Sequence, residues 1–284
     1  MTISRRLALG ALAGGLALAA GSASLAGGED AALRAAIAGL QRGGANSARD
    51  GARHPRESLT FWGLRPGMTV VELVPGSGYW TEILAPYARA TGGTYVAGVA
   101  DLANPDLSAG ARQGRADFEA RYADQSRFGT IAYANFGPRS GPLGAPGSAD
   151  MVLTARNIHN WLWTPGLLDK VLADAFAVLK PGGVLAIEEH RADPRPQIGD
   201  ARDGYVAAAT VIAAAEKAGF RLDGQSEINA NPKDDKDHPF GVWTLPPVRR
   251  SAPGGTPANP LFDHGPYDAV GESDRMTLRF VKPR

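Results

Sequence analysis

Val70-Val71-Glu72-Leu73-Val74-Pro75-Gly76-Ser77-Gly78 is the stretch that decides how this chain is read. A short apolar run, bounded upstream by Pro66-Gly67 and downstream by Pro75-Gly76, suits a buried strand over 68–73 that ends in a tight loop. Directly after it, Trp80, Ile83, Leu84, Tyr87 and Ala88 fall at the spacing of one helical face. Strand, glycine loop and helix therefore follow one another. Pro86 sits inside that helix, removes one backbone donor and predicts a kink. The dinucleotide fingerprint G-x-G-x-x-G is not met, because Thr81 stands where the third glycine belongs, which argues against a nicotinamide-dependent oxidoreductase.

Outward from this unit the alternation repeats. Further strands are expected over 94–99, 129–134, 151–154 and 184–187, a sixth opening at Phe220, and a last one over 276–281. Thr164-Pro165 supplies an N-cap and a first-turn proline for a helix whose apolar stripe is Leu168, Val171, Leu172, Ala175, Phe176 and Leu179. Another helix covers 205–218 and closes at Gly219, and an alanine-rich helix over 29–42 closes at Gly43-Gly44. Strands separated by helices pair in parallel through crossovers, so the expected fold is a doubly wound α/β sheet. Residues 229–273 are rich in Pro, Gly, Asp and Lys without periodicity; a loop that long serves as a lid or binding loop, or is disordered. Lys233-Asp234-Asp235-Lys236-Asp237 within it reads as a solvated turn.

Composition narrows the function. The 284 residues carry 30 Lys+Arg against 29 Asp+Glu, a formal charge of +1 with no basic block, so a nucleic-acid partner has no electrostatic support. Cysteine is absent, which excludes disulfides, thiolate chemistry and zinc–thiolate sites. Residues 1–26 combine Arg5-Arg6, an apolar Leu/Ala/Gly run and Ser24-Leu25-Ala26, the layout of a secretory signal peptide. Ser4-Arg5-Arg6 followed by Leu7 and Leu9 is also similar to a twin-arginine signal. Its removal takes two arginines and turns the formal charge from +1 to −1. The expectation is an exported, periplasmic domain over 27–284 with no membrane span in its mature form; retention through an uncleaved signal is the lesser alternative.

The ordered set of motifs resembles the class I S-adenosylmethionine-dependent methyltransferases, and within them a family of predicted exported methyltransferases of bacteria. Arg49-Asp50, Arg53-His54-Pro55, Glu57 and Gly63-Leu64-Arg65-Pro66-Gly67-Met68 look like that family's lead-in, and Glu72 to Gly78 its first motif. Ala134-Asn135-Phe136, Ala149-Asp150-Met151-Val152, Leu179-Lys180-Pro181-Gly182-Gly183 and Ala218-Gly219-Phe220 follow in the family's order, so the resemblance spans nearly all of 49–284. It implies a seven-stranded Rossmann-like sheet whose last strand inserts antiparallel beside the fifth, a helical cover over 27–66, and S-adenosyl-L-methionine at the carboxyl ends of the first strands. Glu72, Pro75, Gly76 and Gly78 would order the loop and the methionine end. Asp101, past the second strand, would take the ribose hydroxyls, since a carboxylate accepts two hydrogen bonds. Asn135 and Phe136 would meet the adenine. The sequence departs from the family pattern at Val74, where a glycine is usual, and at Asn135, where aspartate is usual.

Methyl transfer is an in-line displacement, so holding the nucleophile in line supplies much of the rate, and a base is needed only when the acceptor must lose a proton. His159, in Arg156-Asn157-Ile158-His159-Asn160-Trp161 after the fourth strand, is the candidate base because imidazole titrates near neutrality; a structural histidine is the competing account. Asn157, Trp161, Glu189 and His190 are the candidate acceptor residues. Tyr79 and Trp80 flank the cofactor or pack a helix. His54, Arg56 and Glu57 cover the cofactor or lie in a solvated helix. Two carboxylates closing a buried strand, Glu188 and Glu189, require partners, with Arg191 or Arg195 nearest in sequence. A metal site from Glu189, His190 and Asp193 is a minor alternative, and none is expected. The resulting function is methyl transfer to a small molecule. Because S-adenosylmethionine is made in the cytosol, export favours a competing reading as a non-catalytic nucleoside-binding module.

Overall fold

In the computed structural model, residues 30–194, 196–197 and 199–284 are described; the signal-like segment 1–26 and Arg195 lie outside them. The chain enters through four short helices, α1 (Ala31–Ala38), α2 (Gly44–Ser47), α3 (Asp50–Arg53) and α4 (Pro55–Trp62). The helix expected over 29–42 stops at Ala38, not at the glycine pair. The Arg42 guanidinium turns back to donate to Ile37 O at 3.0 Å, and Gly43 instead caps α2. There follow β1 (Thr69–Leu73), α5 (Thr81–Thr91), β2 (Thr94–Ala100), α6 (Ala109–Arg121), α7 (Gln125–Phe128) and β3 (Ile131–Phe136). The second half holds β4 (Ala149–Ala155), α8 (Ile158–Leu162), α9 (Leu167–Val178), β5 (Leu179–His190), α10 (Ala208–Lys217) and β6 (Arg221–Ser226). A short β7 (Pro239–Val242), α11 (Gly265–Val270) and β8 (Arg275–Val281) complete it.

Seven strands form one sheet in the order β3-β2-β1-β4-β5-β8-β6. β1 to β5 pair in parallel, and β8 runs antiparallel to both β5 and β6, pairing Val184 with Val281. This is the doubly wound α/β sheet with an antiparallel last strand that the motifs implied. Successive side chains of a strand point to opposite faces, and β1 uses both. Val71 and Leu73 join a core with α8, α9 and α10, while Val70 joins one with α1, α4, α5 and Trp80. Glu72 follows Val70 onto the α5 face.

Several boundaries differ for local reasons. α9 begins at Leu167 behind a left-handed Gly166, not at Thr164-Pro165. The helix expected from 205 begins at Ala208, because Val206 bridges to Arg191 and the Tyr205 hydroxyl is engaged by Asp234. The helix α5 runs through Pro86, which cannot donate to the Glu82 carbonyl four residues back. Gln41 Nε2 reaches across from the α1–α2 turn and donates to that carbonyl at 3.3 Å.

Candidate active site

β1 and β4 are neighbours at the point where the strand order reverses, and the chain leaves both strands in the left-handed region: Val74 has φ 51° and Arg156 φ 58°. For residues with a Cβ this conformation costs about 1–2 kcal/mol each, and such strain gathers at functional sites. Asn157 Nδ2 lies 3.1–3.4 Å from Leu73 O, Val74 O, Thr154 Oγ1 and Ala155 O, stitching the two strand ends together. Its Nδ2 donors are consumed there, so Asn157 shapes the turn. Beyond Val74, Gly76 has φ 58° and a Cβ built on it would meet nothing within 4 Å. Gly78 differs: its φ is 84°, and a Cβ there would lie 1.7 Å from the Tyr122 hydroxyl. Gly76 thus opens onto space, whereas Gly78 is required by packing.

Glu72, Tyr95 and Thr81 form a buried cluster beneath the start of α5. The Tyr95 hydroxyl donates to Glu72 Oε2 at 2.5 Å and the Thr81 hydroxyl donates at 3.2 Å. Burial outweighs these bonds and pushes the Glu72 carboxyl up to about 7. Its influence on the loop therefore passes through α5. Tyr79 and Trp80 are helix-packing residues: Trp80 lies 5.5 Å from Trp62, and the Tyr79 hydroxyl donates to Asp50 at 2.8 Å. Asp101, at the end of β2, is buried and accepts from Ala103 N at 3.0 Å, while its own N–H is held by Phe136 O. Asn135 is exposed at the neighbouring strand end and accepts from Arg115 at 3.3 Å. Phe136 turns to the other face and packs on Trp161, with ring centres 5.7 Å apart. Trp161 is buried in the core there and is not an acceptor-pocket residue.

His159 stands on α8, almost wholly buried, with Nδ1 2.9 Å from Glu189 Oε1. Glu189 also accepts from Ile158 N at 2.5 Å and from its neighbour His190 N at 2.9 Å. A carboxylate surrounded by donors makes Nδ1 the protonated nitrogen of His159 and leaves Nε2 as the acceptor. Glu189 therefore orients His159 and does not itself reach an acceptor. His190 Nδ1 meets Ser273 Oγ at 2.5 Å, and burial together with His159 and three arginines holds this imidazole well below its ordinary pKa. Asp193 binds Lys236 at 3.0 Å, and the group whose ligand atoms lie within 4.8 Å of one another is His159, Glu189 and His190.

His159 and His190 open onto a cavity of about 270 Å³ that Arg49, Arg53, Arg156 and Glu272 also line. Trp243, Pro246, Pro247 and Val248 form its far wall, so the aperiodic 229–273 segment covers the site. Glu188 is fully buried and pairs with Arg275 at 2.9 Å and Arg156 at 3.7 Å. The expected partner Arg191 instead binds Asp274 and Glu227. Glu272 is pushed up by burial, but Arg275, Arg53 and Arg156 outweigh this and hold its carboxyl at about 2. Among the sequence motifs Arg53 and Arg156 stand only inside longer runs and Arg275 in none, and no spacing gives them a shared role, since they come from α3, the β4 exit and β8. The stretch over 233–237 is not simply solvated: Asp234 is buried and accepts from the Tyr205 hydroxyl, Asp274 N, Lys236 N and His238 Nε2. Arg56 and Glu57 do form an exposed pair, and His54 meets Asn229 at 3.2 Å.

No protein-family model matches the sequence, and no curated protein matches it. Among solved structures, the [4+2]-cyclase SpnF is 15% identical, with 85% of this chain and 84% of that chain covered and a TM-score of 0.51. A SAM-dependent methyltransferase from Aquifex aeolicus is 20% identical over 64% of this chain and 87% of that one, TM-score 0.47. An arsenic(III) S-adenosylmethionine methyltransferase from Chlamydomonas reinhardtii is 19% identical over 89% and 73%, TM-score 0.46. What this chain shares with them is a seven-stranded, mostly parallel, Rossmann-like sheet with an antiparallel last strand. At these identities the likeness extends to the fold alone, and a fold hosts many chemistries. Among the described residues, no helix is long and apolar enough to cross a membrane.

Proposed function

We propose that this protein is an S-adenosylmethionine-dependent methyltransferase acting on a small-molecule acceptor, with His159 as general base. One observation carries the reading: Asn157, two residues before His159, donates to the Leu73 and Val74 carbonyls, so the turn that leads into the glycine loop at the sheet's switch point is tied to the segment carrying the buried His159–Glu189 pair. The residues present fit the cofactor. Gly76 offers open space where its methionine end would approach, and Asp101 closes β2 where a ribose would lie. Bound there, S-adenosylmethionine supplies an electrophilic methyl group.

The chain's own part is positioning and proton removal. Glu189 holds the imidazole with Nε2 free to take the acceptor's proton. Trp243 and Trp163, ring centres 5.7 and 5.9 Å from His159, keep water from its flanks. Exclusion of water strengthens the electrostatic work of the pair. Export through the 1–26 signal is part of the same proposal; a twin-arginine route would carry the domain folded, with cofactor already loaded.

Calorimetry with S-adenosylhomocysteine on the 27–284 protein tests cofactor binding, and transfer of a labelled methyl group to a small-molecule extract tests turnover. Binding with transfer supports the proposal. Absence of any nucleoside binding would refute it.

A further inference from the structure

The wall of the His159 cavity holds more positive charge than its acids neutralise. Arg49, Arg53, Arg156 and Arg275 all approach a single carboxylate, Glu272, to within 4 Å. Behind them, Glu188 and Arg275 offset one another, and Glu189 is occupied by two backbone N–H groups and His159. With Glu189 counted as the third acid, three carboxylates face four guanidinium groups. Arg53 has only 3% of its side chain exposed and lines the cavity, yet among the described residues its Nη1 has no hydrogen-bond partner. Arg156 Nη1 is likewise buried without a hydrogen bond and lies at ion-pair distance only, 3.7 and 3.9 Å from Glu188 and Glu272. A buried donor without a partner is costly, and a guanidinium fork is built to receive two oxygens of an oxyanion. The strain is visible on Arg53 itself, where burial and the neighbouring Arg156 pull the guanidinium down to about 10.

We propose that this cavity binds an oxyanion through Arg53 and Arg156, and that the anion is the acid group of the methyl acceptor, held beside His159. The second half of this statement rests on the methyltransferase reading; the first does not. The cavity's volume of about 270 Å³ leaves room for a small acid. Arg49, with 22% of its side chain exposed, stands at the edge as a further cation. Electrostatic capture of this kind also orients the nucleophile, since the charged end is fixed and the reacting end is left near Nε2.

The test titrates inorganic phosphate into the 27–284 protein, with and without saturating S-adenosylhomocysteine, and repeats it on Arg53→Met and Arg156→Gln. Thermal unfolding of each variant, with and without phosphate, controls for folding. Expected is phosphate binding to the wild type in both states, weakened about tenfold in each variant, as befits loss of a charge-assisted bond. S-adenosylhomocysteine affinity should stay within about threefold. Phosphate that fails to bind, or binds all three proteins equally, overturns the site. If phosphate and S-adenosylhomocysteine exclude each other, and Arg53→Met weakens S-adenosylhomocysteine but not adenosine, the arginines hold the cofactor's own carboxylate and the acceptor assignment is overturned. Phosphate binding with no S-adenosylhomocysteine binding supports the anion site and removes the methyltransferase reading.

Discussion

Glu72→Gln isolates the buried carboxyl beneath the glycine turn. In the folded protein Glu72 titrates at about 7, raised by burial against the pull of Tyr95, Thr81 and Arg156, whereas in an unfolded chain it titrates at about 4.3. The folded state therefore keeps a proton that the unfolded state has already released. This group's contribution is fully present below about pH 4 and is lost as the pH rises through 7. At 1.36 kcal/mol per pKa unit the full loss is roughly 3–4 kcal/mol, of which about 2–3 kcal/mol falls between pH 5 and pH 8. His190 slopes the other way in part of this window. Its folded pKa is depressed, so its contribution is lost as the pH falls below about 6.5, and the wild-type profile alone is uninformative. Glutamine has the same shape, still accepts from the Tyr95 hydroxyl and never ionises, so the variant-minus-wild-type difference cancels His190. Urea denaturation of both proteins at pH 5, 6, 7 and 8 should show that difference moving in favour of the variant by about 2–3 kcal/mol. A difference constant to within about 0.5 kcal/mol would mean that Glu72 is solvated or ionised in the folded protein, and the account of the buried cluster would be wrong.

Three further outcomes are expected. His159→Ala should lower turnover by about 10²–10⁴-fold while leaving S-adenosylhomocysteine affinity nearly unchanged, as for loss of a general base; equal losses in both would make His159 structural. Gly76→Val should cost only about 1–2 kcal/mol of stability, the strain of φ 58° with no steric clash, yet abolish cofactor binding measured by calorimetry. Unchanged affinity there counts against the loop as the cofactor site. Val74→Gly relieves a β-branched residue at φ 51° that is 36% exposed. It should raise stability by about 1 kcal/mol after the entropy lost by glycine is subtracted, and a lower melting temperature would show that Val74 packing outweighs its backbone strain.

The amino-acid sequence determined the sheet and its loop. Short apolar runs set off by Pro–Gly turns, and helices with one apolar stripe, leave the chain one way to bury both faces of each strand, and Gly76 and Gly78 sit where the backbone turns left-handed. His159 was legible because a polar ring directly after a buried strand has little reason to be there unless it is paired or used. Side-chain direction and long-range charge pairing were not legible. Asn157 and Trp161 share the same few turns of chain with His159, and Glu189 lies on β5, 30 residues on, yet one ties two strand ends, one fills the core and one orients the imidazole. Only the tertiary structure brings Arg53 from α3, Arg156 from the β4 exit and Glu272 from the covering segment into one wall. Those residues are each more than a hundred positions apart, and contacts at such separation leave no periodicity in a sequence to read: local geometry follows from neighbouring residues, but the charge of a cavity follows from which distant segments close it.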